Sequence, residues 1–241
     1  MALIVKEVES EQDFIKVAPM DHDAWLIPYN PQLKHFRPYL PDRDEAIAAM
    51  AERTSKRWRN RDSNTFFLKV VDPETPNQDI MGFAIWEVNE MKNPGHAEPT
   101  VAHWHPEGSD ERKFAEIFIN GLWGFLAKRV TRPHLDLLSI TVHPACRHRG
   151  AGRLLINWGK AKADELGIEI AISSLPSARG AYEKCGIGAI EVIPPSPDLQ
   201  VENPSERWKE LLQEDLTGWL MWRPVGRDFE VGKDKAPWVK E

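Results

Sequence analysis

One short stretch constrains this chain more than any other: a strand that feeds a basic, glycine-bearing turn and then, at once, a helix. Leu135 to Val142 is rich in apolar and β-branched residues, and Pro144 ends it because proline cannot continue a ladder. Arg147-His148-Arg149-Gly150-Ala151-Gly152-Arg153 follows, and Leu154 and Leu155 open the apolar stripe of a helix from Gly150 to Leu166. The first N–H groups of a helix lack partners and its dipole is positive there, so the turn is suited to an anion. Three arginines and a histidine within 147–153 add positive charge. A Walker loop needs Gly-Lys-Ser/Thr, but Gly152 precedes Arg153-Leu154. A dinucleotide fingerprint needs a third glycine where Leu155 stands. By itself the turn is compatible with a phosphate or pyrophosphate ligand, and equally with a basic connection that binds nothing.

Around this unit the pattern alternates strands and helices. Leu3 to Val8 reads as a strand and Glu11 to Ala18 as a helix with Ser10 as N-cap. Four prolines between Pro28 and Pro41, among Tyr29, Phe36 and Tyr39, predict an aromatic-rich loop. Asp42 to Arg59 has the acidic start and basic end of a helix. Thr65 to Val71 and Ile80 to Val88 predict a hairpin, and 91–109 is irregular. Asp110 to Val130 carries Phe114, Ile117, Phe118, Leu122, Phe125 and Leu126 at helical spacing. Downstream come a strand from Ile168 to Ser173, a short helix from Ala178 to Cys185 and a strand from Ile187 to Ile193. A helix from Ser205 to Leu212 and a strand from Thr217 to Arg223 complete the series. The segment 226–241 has little apolar content and predicts a surface tail. No repeat or composition shift divides this mixed α/β chain, so one domain is expected.

Charge and composition remove whole classes of function. Lys and Arg number 31 against 37 Asp and Glu, a net charge of −6 that argues against a nucleic-acid binder. The basic run Lys56-Arg57-Trp58-Arg59-Asn60-Arg61 is accounted for as one helix end. Cys146 and Cys185 are too few for a disulfide framework or a cysteine-rich zinc site. His103-x-His105 has no carboxylate or cysteine at ligand spacing, so no metal is expected. The first residues read as a strand rather than a signal peptide, and no apolar run approaches a membrane span. The expectation is a cytoplasmic protein with neither nucleic acid nor membrane as partner.

Two motifs then stand in order: Leu138-Ser139-Ile140-Thr141-Val142-His143-Pro144-x-x-Arg147-x-x-Gly150-x-Gly152-x-x-Leu155, and Ala178-x-x-x-Tyr182-Glu183-Lys184-Cys185-Gly186-Ile187. Together they resemble the central and second motifs of the GNAT superfamily of N-acetyltransferases. The resemblance implies an α/β fold with a mixed, mostly antiparallel, splayed sheet flanked by helices. It would form one domain over 1–225, with the cofactor motif at 136–186 and acceptor-side insertions at 25–41 and 91–130. It implies acetyl-CoA as cosubstrate, without metal, and transfer of the acetyl group to an amine by direct attack through a tetrahedral intermediate. The aromatic-rich loops outside the two motifs suggest an enclosed pocket, which favours the amine of a small molecule as acceptor. A non-catalytic acyl-CoA-binding sensor or interaction module on the same fold is the alternative. Monomer and homodimer both fit.

The resemblance also implies roles for residues. The backbone of Arg147, His148, Arg149, Gly150, Ala151, Gly152 and Arg153 would hold the pyrophosphate, and Ile140, Thr141 and Val142 would flank the pantetheine arm. A β-bulge near Ser139 would aim an N–H at the thioester carbonyl, where such a donor is typically worth ~3 kcal/mol. Leu175 stands where the family often has an amide or small polar residue, with Ser174 or Ser177 as substitutes, and Gly186-Ile187 replaces the usual Gly-Phe. Tyr182 matches the proton donor to the leaving thiolate. Asp136 is the candidate base and Glu87 the second candidate, while Trp25, Tyr29, Trp86 and Glu87 are candidates for the acceptor side.

Overall fold

The computed structural model describes residues 3–38, 40–75, 79–90 and 98–239. Strands β1 (Ile4–Glu7), β2 (Thr65–Val71), β3 (Ile80–Asn89), β4 (His134–Val142), β5 (Glu169–Ser174), β6 (Gly188–Ile193) and β7 (Gly218–Arg223) form one sheet in the order β1-β2-β3-β4-β5-β7-β6. Only the β4–β5 pair is parallel. That pair is joined through α5 (Ala151–Leu166), as a parallel connection requires. Helices α1 (Gln12–Leu26) and α3 (Arg43–Arg59) pack on one side, and α5 contributes Leu155, Ile156 and Ala163 to the main core on the other. The result is a single mixed α/β domain with an open seven-stranded sheet flanked by helices. No helix among the described residues is long and apolar enough to cross a membrane.

Three local expectations are corrected. Helix α1 does not use Ser10 as its cap: Glu11 occupies that position without a side-chain bond, while the Ser10 carbonyl accepts from the Asp13 amide. The helix also runs through Pro19 to Leu26. Proline removes one helical hydrogen bond, but Phe14, Val17, Ala18 and Met20 are buried around it and offset that loss. The segment from 226 onward is docked rather than a loose tail. The Phe229 amide donates to the Gly186 carbonyl, Trp238 Nε1 donates to Glu191, and Ala236 is buried. A side chain at Gly186 or Gly188 would run into Asp228 or Phe229, so these glycines leave the room that the docked segment fills.

The β3–β4 insertion holds α4 (Asp110–Ala127), whose first turn is capped by Ser109. Helix α4 packs against α2 (Leu33–Phe36) and α7 (Glu206–Leu212) through a satellite core of Phe114, Phe118, Ile119, Leu199, Trp208 and Leu211. Residues 30–36 and 205–217 are thereby held together. Gln32 Nε2 donates to the Thr217 carbonyl at 2.8 Å, and Lys34 pairs with Glu214 at 2.6 Å.

Candidate functional site

The two central strands part company one residue after Asp136. β4 pairs with β5 only through His134, Leu135 and Asp136, opposite Glu169, Ile170 and Ala171. From Leu137 to Val142 the β4 edge facing β5 carries no ladder, which leaves backbone donors and acceptors available to an added chain. On its other edge β4 stays paired with β3, but the register slips: Ile85 faces Ser139 while Trp86 faces Leu137. Leu138 is the extra residue, so a bulge sits next to Ser139 at the head of the splay. It turns the Leu138 side chain toward the α1 core, while Ile140 and Val142 pack toward α5.

Beyond Val142 the chain makes one short turn at Pro144–Cys146, capped by His143 Nδ1 accepting from the Ala145 amide, and this gives His143 a structural task. His148 and Gly150 follow with φ of 64° and 93°, left-handed conformations that bend the backbone into the start of α5. Helix α5 begins with no side-chain cap. The arginines do not converge on this helix end. Arg147 Nη2 donates to the Ala24 carbonyl of α1 at 3.2 Å, and Arg149 reaches Asp72 at 3.2 Å. They brace the turn. The Arg147 amide itself donates to the Pro144 carbonyl, which leaves the backbone amides from His148 onward as the chemically available groups. An anion fits here through those amides, the helix dipole and the space above Gly150, where nothing lies within 4 Å of a built Cβ.

At the head of the splay the structure brings together Asp136, Glu87 and Tyr182. Asp136 lies directly opposite Glu87 across β3–β4. Its carboxyl is pushed up to about 7, by enclosure first and by the Glu87 charge second, with Arg57 opposing. Arg57 Nη2 lies 3.5 Å from Glu87 Oε2. Tyr182, on the short helix α6 (Arg179–Glu183), is buried, and its hydroxyl is pushed above the ordinary value of 10.0 by burial, then by Asp136 and Cys185. A carboxyl that ionises near neutrality beside a phenol that stays protonated is one group able to take a proton and another able to give one.

Other candidates are placed elsewhere. Trp86 is fully buried, with Nε1 donating to the Leu155 carbonyl and its ring against Gly159, so it belongs to the core beneath α5 and lines no acceptor site. Helix α5 covers this face of β3, and the indole turns beneath it. Tyr29 is exposed on the loop after α1. Ser174 is buried with its hydroxyl donating to the Leu175 carbonyl, while Ser177 is exposed on the turn before α6. Thr141 faces α1, and Trp25 donates to Asp21 at 3.0 Å. Two residues here escaped sequence reasoning. Asp21, a carboxyl raised by burial and flanked by Arg37 and Arg53, continues the apolar spacing of Phe14, Val17 and Ala18. An acid on that stripe was the available signal. Arg57 gave only the signal of a helix end. No group of His, Cys, Asp and Glu among the described residues is arranged to hold a metal.

Two grooves of about 520 and 550 Å³ run along α4, the first ending at Trp208 and the second at Pro194 to Asp198. Neither is lined by Asp136, Tyr182 or the 147–153 turn.

Comparison with known proteins follows the same lines. The profile of the acetyltransferase (GNAT) family matches residues 33–187. A histone acetyltransferase HPA2 and related acetyltransferase structure from Corynebacterium glutamicum aligns with a TM-score of 0.54 at 16% identity, covering 94% of this chain and 98% of that one. Naa20 of Chaetomium thermophilum, solved with a bisubstrate analogue, aligns with a TM-score of 0.50 at 13% identity, covering 96% and 94%. At these identities the structural likeness speaks for the fold. The comparison with curated proteins returns no match. The family match spans most of the chain and includes both the splayed strand and the turn after it, and the chain belongs to the GNAT family of acetyltransferases, a family of acyltransferases that use acetyl-CoA.

Proposed function

We propose that this protein is an acetyl-CoA-dependent N-acetyltransferase whose acceptor is the amine of a small molecule. The observation that carries the reading is the splay of β4 from β5 immediately after Asp136, with the bulge at Leu138 on one side and an uncapped helix start at the end of the same strand. Acetyl-CoA supplies the activated acyl group. The main chain of Ile140 to Val142 would hold its pantetheine arm as an added strand. The amides of His148, Arg149, Gly150, Ala151, Gly152 and Arg153 would hold its pyrophosphate, while Arg147, its own amide donating to the Pro144 carbonyl, braces the turn against α1. Asp136 accepts the proton that the attacking amine must lose, and the amide freed by the bulge is the donor for the developing oxyanion. Tyr182 gives a proton to the departing thiolate. The Ser174 hydroxyl is engaged with the Leu175 carbonyl and the residue pairs with Trp219 of β7, so Ser177 on the turn before α6 is the serine left to meet the cofactor.

A small acceptor is supported by the way α4 joins the segments on the open side of the sheet. Residues 30–36 and 205–217 are tied by Gln32–Thr217 and Lys34–Glu214, and α7 is tied to α4 by Arg207–Glu111 at 2.7 Å. A bridge of this kind narrows the approach available to a folded protein. Exposed Tyr29 and half-buried Trp25 stay on the acceptor side of this reading.

Thermal unfolding with and without acetyl-CoA tests the donor half of the proposal. A ligand at 100 times its Kd stabilises the native state by about 2.7 kcal/mol, a clear rise in Tm. Gly150→Val and Gly152→Val should remove the rise, the first by straining a backbone at φ 93° and the second by crowding the helix start beside Val142. No rise for the unaltered protein at millimolar acetyl-CoA contradicts the proposal.

A further inference from the structure

The cross-strand neighbour of Asp136 has a definite setting of its own. Glu87 faces Asp136 in β4 and Thr65 in β2, which puts its side chain between two strands on the α3 side of the sheet. Its carboxylate is partly exposed, with Arg57 of α3 at 3.5 Å and the Thr65 hydroxyl at 3.5 Å. Arg57 and the Thr65 hydroxyl both approach the same carboxylate oxygen, Oε2, and hold the side chain in place. Glu87 is thus a positioned negative charge next to the enclosed acid. We propose that Glu87, held by Arg57, is a positioning residue that sets the ionisation of Asp136 and thereby the pH range over which Asp136 takes a proton. The proposal rests on the reading of Asp136 as base and gives Glu87 a different task from the base role that sequence alone allowed.

The geometry around Asp136 restricts which groups can do this. From β3 it is faced by Glu87, from α3 by Arg57 and from α6 by Tyr182. On its own strand His134 is held neutral by burial, with Nδ1 2.8 Å from the Arg132 carbonyl. From β5 its partner is Ala171, and the nearby Glu169 of that strand is engaged by Arg132 and by Trp222 Nε1. Tyr182 stays protonated and His134 neutral near pH 7, so neither changes charge in the range where Asp136 titrates. Glu87 and Arg57 remain as the charges that move it, one upward and one downward.

The signs follow. Glu87→Gln removes a like charge, so Asp136 ionises at lower pH. Arg57→Gln removes a cation, so Asp136 ionises at higher pH. Each shift should be about half a unit to one unit, less than a buried pair would give because both side chains keep solvent contact. The direct readout is the carboxyl-carbon NMR titration of Asp136 in the resting full-length protein, with Glu87→Asp and Arg57→Lys as conservative variants expected to restore the midpoint. Opposite displacements in the two neutral variants, with restoration in the conservative ones, support the proposal. Midpoints that stay within 0.2 unit of the unaltered protein, or move together in one direction, overturn it. The acid limb of kcat/KM is recorded on the same proteins. If the NMR midpoint moves and the acid limb does not follow, the ionisation-setting role stands and the assignment of Asp136 as base fails.

Discussion

The indole of Trp86 occupies the space that a side chain at Gly159 would need. A Cβ built on Gly159 would lie 2.3 Å from Trp86 Cζ2, with two more ring atoms within 2.7 Å. Helix α5, which starts at the proposed pyrophosphate turn, can therefore lie flat on the middle of the sheet only because residue 159 has no side chain. Gly159→Ala should lower stability by about 1–3 kcal/mol, through overpacking against an indole that cannot move without breaking its bond to Leu155. Chemical denaturation measures this. Unchanged stability would mean that the Trp86–Gly159 contact relaxes without cost.

Asp136→Asn should separate function from stability. A carboxyl raised to about 7 from an ordinary 3.8 binds a proton in the folded state that the unfolded chain has already released. Its contribution to stability is therefore present below about pH 4, falls as pH rises toward 7, and stays lost above it. The amide cannot ionise, so Asp136→Asn should raise stability at pH 8 by on the order of 1–3 kcal/mol and change it little at pH 4. Turnover should fall by ~100- to 10,000-fold at both neutral and alkaline pH. Denaturation curves at the two pH values, paired with acetyl-transfer rates, check both halves.

Tyr182→Phe keeps the ring that packs in the main core and removes only the hydroxyl. Acetyl-CoA affinity should hold while turnover drops by ~100-fold or more, since a proton donor to the leaving group acts on departure rather than on binding. Because the hydroxyl is held above its ordinary value, the unaltered enzyme should show no loss of rate from Tyr182 ionisation up to pH 9. Full turnover in Tyr182→Phe, measured where chemistry limits the rate, would return Tyr182 to a packing role.

The elements were legible because their signals are local. Proline and glycine punctuation around 144–152 and the apolar stripe of Phe114, Phe118 and Leu122 place a strand, a turn and two helices within a few residues of the observed ends. The local pattern ends the helix from Glu11 at Ala18, too early, because it cannot weigh the buried face of Phe14, Val17 and Met20 that carries the helix through Pro19. Trp86 misled because alternation along β3 is lost when both faces of the strand are covered, so apolar-rich sequence gave no sign of which way the indole turns. The docking of Asp228 and Phe229 depends on room left by Gly186 and Gly188, about forty residues upstream, which composition cannot report. At the candidate site, the resemblance singled out Asp136 and Tyr182 as candidates. The Asp136–Glu87–Arg57 relationship was not legible, because it depends on a strand register set by a one-residue bulge and on the helix laid over it.

Transfer of an acetyl group from acetyl-CoA to a small amine without a metal can be observed directly. Purified protein, treated with chelator, should be mixed with acetyl-CoA and a pooled library of small amines, with free thiol and product masses followed together. Thiol release should be matched one for one by an amine product heavier by an acetyl group, and both should be greatly reduced in Asp136→Asn. Binding of acetyl-CoA with no acetylated product from any amine would contradict this transfer and favour an acyl-CoA-binding module. Activity lost on chelation and restored by zinc would contradict the metal-free chemistry.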